Sequence, residues 1–177
     1  MALAKYPSPI RLVNAYSIAA ATSDARYGRA LKSSGINYAD GAPVAAFLTL
    51  MSWQQGGGRH RRVRGPSLFE ETLRHTEGLG ISHLFFGASK TTLADLESEI
   101  RQRYPRLTIA GYVSPPIADV TELTELAKTA HEELGGDIVW LGLGTPKQDL
   151  VARDLAEAIS RPCVAVGAAF DFLAGTQ

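Results

Sequence analysis

One cysteine, Cys163, stands in the 177 residues. No intrachain disulfide can form, and its place in an apolar run reads as a buried thiol. No apolar run reaches the roughly 18 residues that a membrane-crossing helix needs. Residues 1–9 lack the apolar core of a secretion signal, so the expected location is cytoplasmic. Neither sign of charge is in excess, with 18 basic and 18 acidic residues. A chain built to grip a nucleic-acid backbone would be basic, so no nucleic-acid partner is expected. His60, His75, His83 and His131 show no His-x-x-x-His spacing and no Cys-x-x-Cys occurs, which speaks against a zinc site. Asp-x-Asp, the short acidic motif for a nucleotide-bound cation, is missing. So are the phosphate-binding Gly-x-x-x-x-Gly-Lys-Ser/Thr loop and the hydrolase Gly-x-Ser-x-Gly. A dinucleotide-type Gly-x-Gly-x-x-Gly does not follow the first strand, which argues against an oxidoreductase.

What remains is an ordinary globular composition, 45% hydrophobic and 20% charged, of a length that suits one domain. Apolar strand candidates recur at Ile10–Val13, Ile36–Ala39, His83–Phe86, Leu107–Val113, Ile138–Leu141 and Cys163–Val166. Helical stretches lie between them. Ser89 precedes Leu93, Leu96 and Ile100; Asp119 with Glu122 precedes Leu123, Leu126, Ala130 and Leu134; Thr145 precedes Val151, Leu155 and Ile159. Strands alternating with amphipathic helices predict an α/β fold: a Rossmann-like, mostly parallel sheet with helices on both faces, one domain over residues 1–177. In such a sheet ligands bind beyond the carboxyl ends of the strands. That singles out Asn14 with Ser17, Asp40-Gly41, Gly87-Ala88-Ser89, Ser114-Pro115-Pro116, Gly142 to Gln148, and Gly167 to Asp171. One edge would then hold a carboxylate, several glycines, small hydroxyls and an amide, which suits a nucleotide-activated substrate better than a metal.

Within that set, Gly142-Leu143-Gly144-Thr145-Pro146-Lys147-Gln148 is the most informative stretch. After a buried strand, its glycines permit a tight turn, with Thr145 expected as the helix N-cap and Pro146 at the first helical position. Free backbone N–H groups there would suit a phosphate. The alternative is a capping box in which Gln148 satisfies a backbone donor. Asp40 is a general-base candidate, since partial desolvation raises a carboxylate's pKa; Asp-Gly is equally a turn dipeptide. Asp171 could bind a substrate hydroxyl or cap a helical turn. Lys147 and the arginines of residues 59–64 could neutralise a diphosphate or stand in a solvated loop. Val44–Trp53 reads as a buried core helix, or, with the basic cluster behind it, as a segment lying on an anionic membrane.

Five blocks occur in a telling order: Asn14-Ala15-Tyr16-Ser17, Ala39-Asp40-Gly41, Arg62-Val63-Arg64-Gly65, Gly142 to Gln148, and Gly167 to Gly175. Together they resemble the bacterial WecG/TagA/CpsF family, the N-acetylmannosaminyltransferase-type glycosyltransferases of teichoic acid and surface polysaccharide synthesis. The resemblance runs from about Arg11 to Gln177. It implies an inverting transfer from a UDP-sugar to a sugar on a polyprenyl diphosphate, with no metal and no cofactor. By the same resemblance Asp40 is the general base, Arg62 contacts the donor diphosphate, and Gln148 contacts the donor or its sugar. The helix end at Thr145 would stabilise the leaving diphosphate. Substrate contacts are further expected from Asn14, Ser17, Gly87, Gly142, Gly144, Lys147 and Asp171.

Several positions depart from the family's pattern. Ala39 replaces the usual proline before Asp-Gly, Ser67 stands where a carboxylate is common, and Asp149 closes the Pro-Lys-Gln block in place of glutamate. These departures bear on the sugar more than on the reaction. Members usually carry a leading segment and a basic continuation, so a short member or a fragment with an incomplete site is expected. The alternative function is an inactive UDP-sugar-binding scaffold. The expected location stays cytoplasmic, with a peripheral place on the inner face of the membrane left open, as are the membrane surface and a second copy as partners.

Overall fold

The computed structural model describes residues 8–175. Among them, six strands form one sheet: β1 (Pro9–Val13), β2 (Ile36–Ala39), β3 (Ser82–Gly87), β4 (Thr108–Val113), β5 (Ile138–Gly142) and β6 (Cys163–Ala165). Their order is β2-β1-β6-β5-β3-β4, and every neighbouring pair is parallel. The central strands are buried on both faces, whereas β2 and β4 stand at the edges and are half open. That difference explains why the central strands read as near-continuous apolar runs.

Eight helices of the described residues connect the strands: α1 (Ala15–Ser23), α2 (Ala25–Lys32), α3 (Ala42–Gln54), α4 (Gly65–Thr76), α5 (Lys90–Arg103), α6 (Val120–Leu134), α7 (Lys147–Ile159) and α8 (Ala169–Leu173). Alternate side chains of β3 divide the core. Phe85 packs with Phe69, Leu96, Ile100 and Phe170 of α4, α5 and α8. Leu84 and Phe86 pack with Leu123 and Ala127 of α6 and Val151 and Leu155 of α7 on the other face. The fold is thus the expected Rossmann-like α/β sheet covered on both sides.

Local starts follow the sequence in two cases and depart in one. Ser89 caps α5 through Thr92 N, and Asp119 caps α6 through Thr121 N and Glu122 N. Thr145 does not cap α7. That helix starts at Lys147, with Pro146 as its N-cap residue, after a cis Thr145–Pro146 bond, and no side chain caps it. On α6 the buried stripe runs through Leu123, Thr124, Ala127 and Ala130, leaving Leu126 and Leu134 exposed. Small residues let α6 approach the sheet, and its leucines flank the contact. The expectation of a buried core helix at residues 44–53 is also overturned. Only Val44, Ala45 and Thr49 of α3 are buried.

Candidate active site

The carboxyl ends of β1, β2, β5 and β6 surround a cleft of about 390 Å³. Its lining includes Asn14 after β1, Asp40 after β2, Gly144, Thr145 and Gln148 after β5, and Gly167 and Ala168 after β6. Arg64, Gly65 and Pro66 close one side with the start of α4. This is the crevice position that strand order predicts for an open parallel sheet. Five of the residues named above as catalytic or substrate-contacting therefore meet: Asn14, Asp40, Gly144, Thr145 and Gln148.

Among the described residues, Asp40 is the one carboxylate that lines the cleft. Its backbone N–H donates to Val13 O at 2.9 Å, which continues the β1–β2 ladder and fixes the chain at the rim. Partial burial raises its pKa above the ordinary value, while the Arg64 charge and a backbone hydrogen bond from Gly41 oppose that rise. Asn14 also serves α1: its Oδ1 accepts from Ser17 N at 3.0 Å and from Ser17 Oγ at 3.2 Å. With the oxygen committed to the cap, the amide's N–H donors are what Asn14 can offer a ligand. Gln148 is buried, and its Oε1 accepts from Gly144 N at 3.1 Å. Its side chain therefore braces the glycine turn from beneath.

The expected phosphate site at the start of α7 takes a different form. Gln148 N donates to Gly144 O at 3.0 Å, and Asp149 N to Pro146 O at 3.2 Å. These turn bonds consume donors that a ligand would need. The start of α4 is more open chemically, because no side chain caps it and no acidic residue stands in its first turn. Gly65 allows the approach: a Cβ there would lie 2.9 Å from Val166 O. The positive end of a 12-residue helix thus borders the cleft beside Arg64. Gly65-Pro66 with no acid before Glu70 was the signal for this helix end.

The remaining anticipated residues lie outside the cleft's lining. Ser17 is buried in the α1 cap. Arg62 lines a second groove against α3, so the arginine at the cleft is Arg64. Lys147 donates to Ala118 O at 2.9 Å. Asp171 accepts from Thr92 Oγ1 at 3.4 Å, joining α8 to α5. Gly87 and Gly142 are packing glycines: a Cβ on the first would lie 2.4 Å from Gly142 O, and one on the second 2.7 Å from the Phe170 ring. Among the described residues, no cluster of three or more His, Cys, Asp or Glu side chains could hold a metal ion.

Beneath the cleft, Asp149 is fully buried with Tyr27 and Arg11. The Tyr27 hydroxyl donates to Asp149 Oδ2 at 2.6 Å, and Oδ1 has no hydrogen-bond partner among the described residues. Burial, only partly offset by the tyrosine and by Arg11, pushes the Asp149 carboxyl up to about 6. The Arg11 guanidinium donates to Asn37 Oδ1 and Ser33 Oγ, each at 3.1 Å. This cluster ties β1, α2 and the first turn of α7 together next to Gln148. A polar residue inside an apolar strand, Arg11 in Ile-Arg-Leu-Val, was its only trace in the sequence.

The sequence profile of the glycosyl transferase WecG/TagA/CpsF family matches residues 2–177. The chain belongs to that family. Two curated relatives are the N-acetylglucosaminyldiphosphoundecaprenol N-acetyl-beta-D-mannosaminyltransferases of Bacillus subtilis (strain 168) and Bacillus spizizenii (strain ATCC 23059 / NRRL B-14472 / W23). The first is 26% identical over 97% of this chain and the second 24% over 88%. The chain spans 64% and 58% of their lengths. The WecG/TagA/CpsF blocks map unevenly onto the cleft. Asn14, Asp40, Gly144, Thr145 and Gln148 line it, whereas the arginine block contributes Arg64 and Gly65 and the Gly167–Gly175 block contributes Gly167, Ala168, Ala169 and Phe172.

Proposed function

We propose that this protein transfers a sugar from a UDP-sugar to a sugar carried on a polyprenyl diphosphate, by a single inverting displacement. The observation that carries the reading is a half-buried carboxylate, Asp40, in a cleft that also holds Arg64 and the positive end of α4. The relatives' names supply the acceptor class, N-acetylglucosamine on diphosphoundecaprenol. Asp40 accepts the proton of the acceptor hydroxyl as that oxygen bonds to the anomeric carbon. The bond from that carbon to the diphosphate oxygen breaks on the opposite side, and the electron pair leaves with UDP. A raised pKa makes Asp40 a better proton acceptor.

The charge that develops on the departing diphosphate needs a positive partner already in place. Arg64 and the α4 end supply one, and the lining carboxylate gives a divalent cation only one ligand. Gln148 and the Gly144 turn it braces form the wall against which the donor's phosphates or sugar would rest. Asn14 offers N–H donors from the β1 side.

Mass-spectrometric screening of UDP-sugars against a short-chain prenyl-diphosphate-linked N-acetylglucosamine tests the reading. The expected result is one disaccharide product and an equivalent of UDP, formed with chelator present. Stabilisation by NAD instead of UDP, with no transfer from any UDP-sugar, would overturn it.

A further inference from the structure

The excursion between Asp40 and Arg64 leaves a cluster of large apolar side chains open. Phe47 and Trp53 of α3 are about 60% exposed and Leu50 is 53% exposed, with Leu48 and Met51 also open. A helix apolar on every side is ordinarily buried. Here only its inner edge is held, by Val44 and Ala45 against Ala39 and by Thr49 Oγ1, which accepts from His60 N at 3.0 Å. The charge beside it is one-sided. Residues 41–69 contain four arginines and no acidic residue, in a chain with 18 of each sign. Between α3 and residues 59–62 runs a groove of about 810 Å³, with Ala46, Leu50 and Trp53 on one wall and Arg59, Arg61 and Arg62 on the other.

We infer that α3 and the arginine segment after it form a docking surface for an anionic lipid bilayer, lying in the interface. No helix among the described residues is long and apolar enough to cross a membrane. A bilayer surface supplies both required chemistries, acyl chains for Phe47, Leu50 and Trp53 and phosphates for the arginines. Tryptophan favours that depth. A second copy fits poorly, because a two-fold contact through this face would bring the arginines of both copies together. Val63 N donates to Ala39 O at 2.8 Å, so the arginine segment returns to the end of β2 at the cleft. Docking therefore holds the cleft beside the lipid head groups. That consequence rests on the proposed transfer to a lipid-linked acceptor; the docking itself does not.

Sedimentation of the full chain with vesicles of phosphatidylcholine, alone or mixed with phosphatidylglycerol, tests the inference without any substrate. The expected result is roughly tenfold or tighter binding to the mixed vesicles, lost at high salt. Trp53 emission shifts blue on binding, since Trp140 is already buried. The triple variant Arg59→Glu, Arg61→Glu, Arg62→Glu and the double variant Phe47→Ser, Trp53→Ser each lose vesicle binding. Both keep the wild-type melting temperature, because all five side chains are exposed. Equal binding to both vesicle types, no binding, or binding that survives both variants overturns the inference. So does a dimer in light scattering that the Phe47→Ser, Trp53→Ser variant dissolves. Vesicle binding without sugar transfer would count against the proposed reaction alone, and transfer without vesicle binding against the docking alone.

Discussion

Two buried residues titrate in opposite senses, and each has an identifiable cause. The Trp140 indole N–H donates to His83 Nδ1 at 2.9 Å, and His83 Nε2 lies 2.9 Å from Thr76 Oγ1, which itself donates to Thr72 O. With Nδ1 accepting, the ring must be neutral, and burial lowers its pKa to about 4 from 6.5. Stability from neutral His83 is full above 6.5 and is lost as pH falls toward 4. Asp149 runs the other way. Its pKa is raised from 3.8 to about 6, so stability is full below 3.8 and is lost as pH rises through 6. Across roughly pH 4 to 6 the two largely offset in the wild type. The Asp149→Asn variant keeps only the histidine's share, so its unfolding free energy should climb by roughly 3 kcal/mol from about pH 4 to 6.5. Urea titrations at those pH values read the difference. A variant curve parallel to the wild type would mean that Asp149 is not the opposing group.

Among the turns that join the elements, glycine separates packing from ligand contact. Gly87 has φ 126°, and a Cβ there would strike Gly142 O. Gly144 has φ 77°, but a Cβ there would meet nothing within 4 Å, since the position opens to the cleft. Gly87→Ala should therefore cost about 3 kcal/mol or more, and Gly144→Ala about 1–2 kcal/mol. Affinity should reverse that order. Folded Gly87→Ala binds UDP nearly as the wild type does, whereas Gly144→Ala binds it more weakly. Calorimetric titration with UDP, alongside denaturant unfolding, checks both halves.

Individual elements also show how far the sequence could be read. Each strand candidate corresponds to a strand, because β-branched and aromatic runs bounded by glycine or proline have few other uses in a chain of this pattern. The lining of the cleft was legible where it follows a strand end directly, as at Asn14, Asp40 and Gly144. It was not legible where the deciding contact is remote. Arg62 and Arg64 are two residues apart in an extended segment, and which of them meets the cleft depends on Val63 pairing with Ala39. Thr145 has the composition of an N-cap, yet the Gln148 side chain already occupies the Gly144 N–H that shapes the turn. Composition alone gave α3 a place in the core, but the covering surface a core helix needs is not there among the described residues.

Taken across the protein, four strand ends far apart in the chain bring a carboxylate and an amide wall together, and the segment entering α4 adds an arginine and a helix end. A ligand that bridges them stabilises the native state by mass action. At about 100 times its dissociation constant, UDP should add about 2.7 kcal/mol. For a domain of this size that is a rise of roughly 5–10 °C in melting temperature. Arg64→Ala should reduce the rise, whereas Lys147→Ala, which removes a contact to Ala118 outside the cleft, should leave it unchanged.

The proposed transfer divides the labour within that cleft: Arg64, Gly144 and Gln148 would hold the donor, and Asp40 would move the proton. Parallel measurement of UDP affinity and of sugar-transfer turnover in the Asp40→Asn variant separates the two roles. Affinity within about threefold of the wild type, with turnover down by roughly 10²–10⁴, is the predicted outcome. Turnover near the wild-type rate would contradict it.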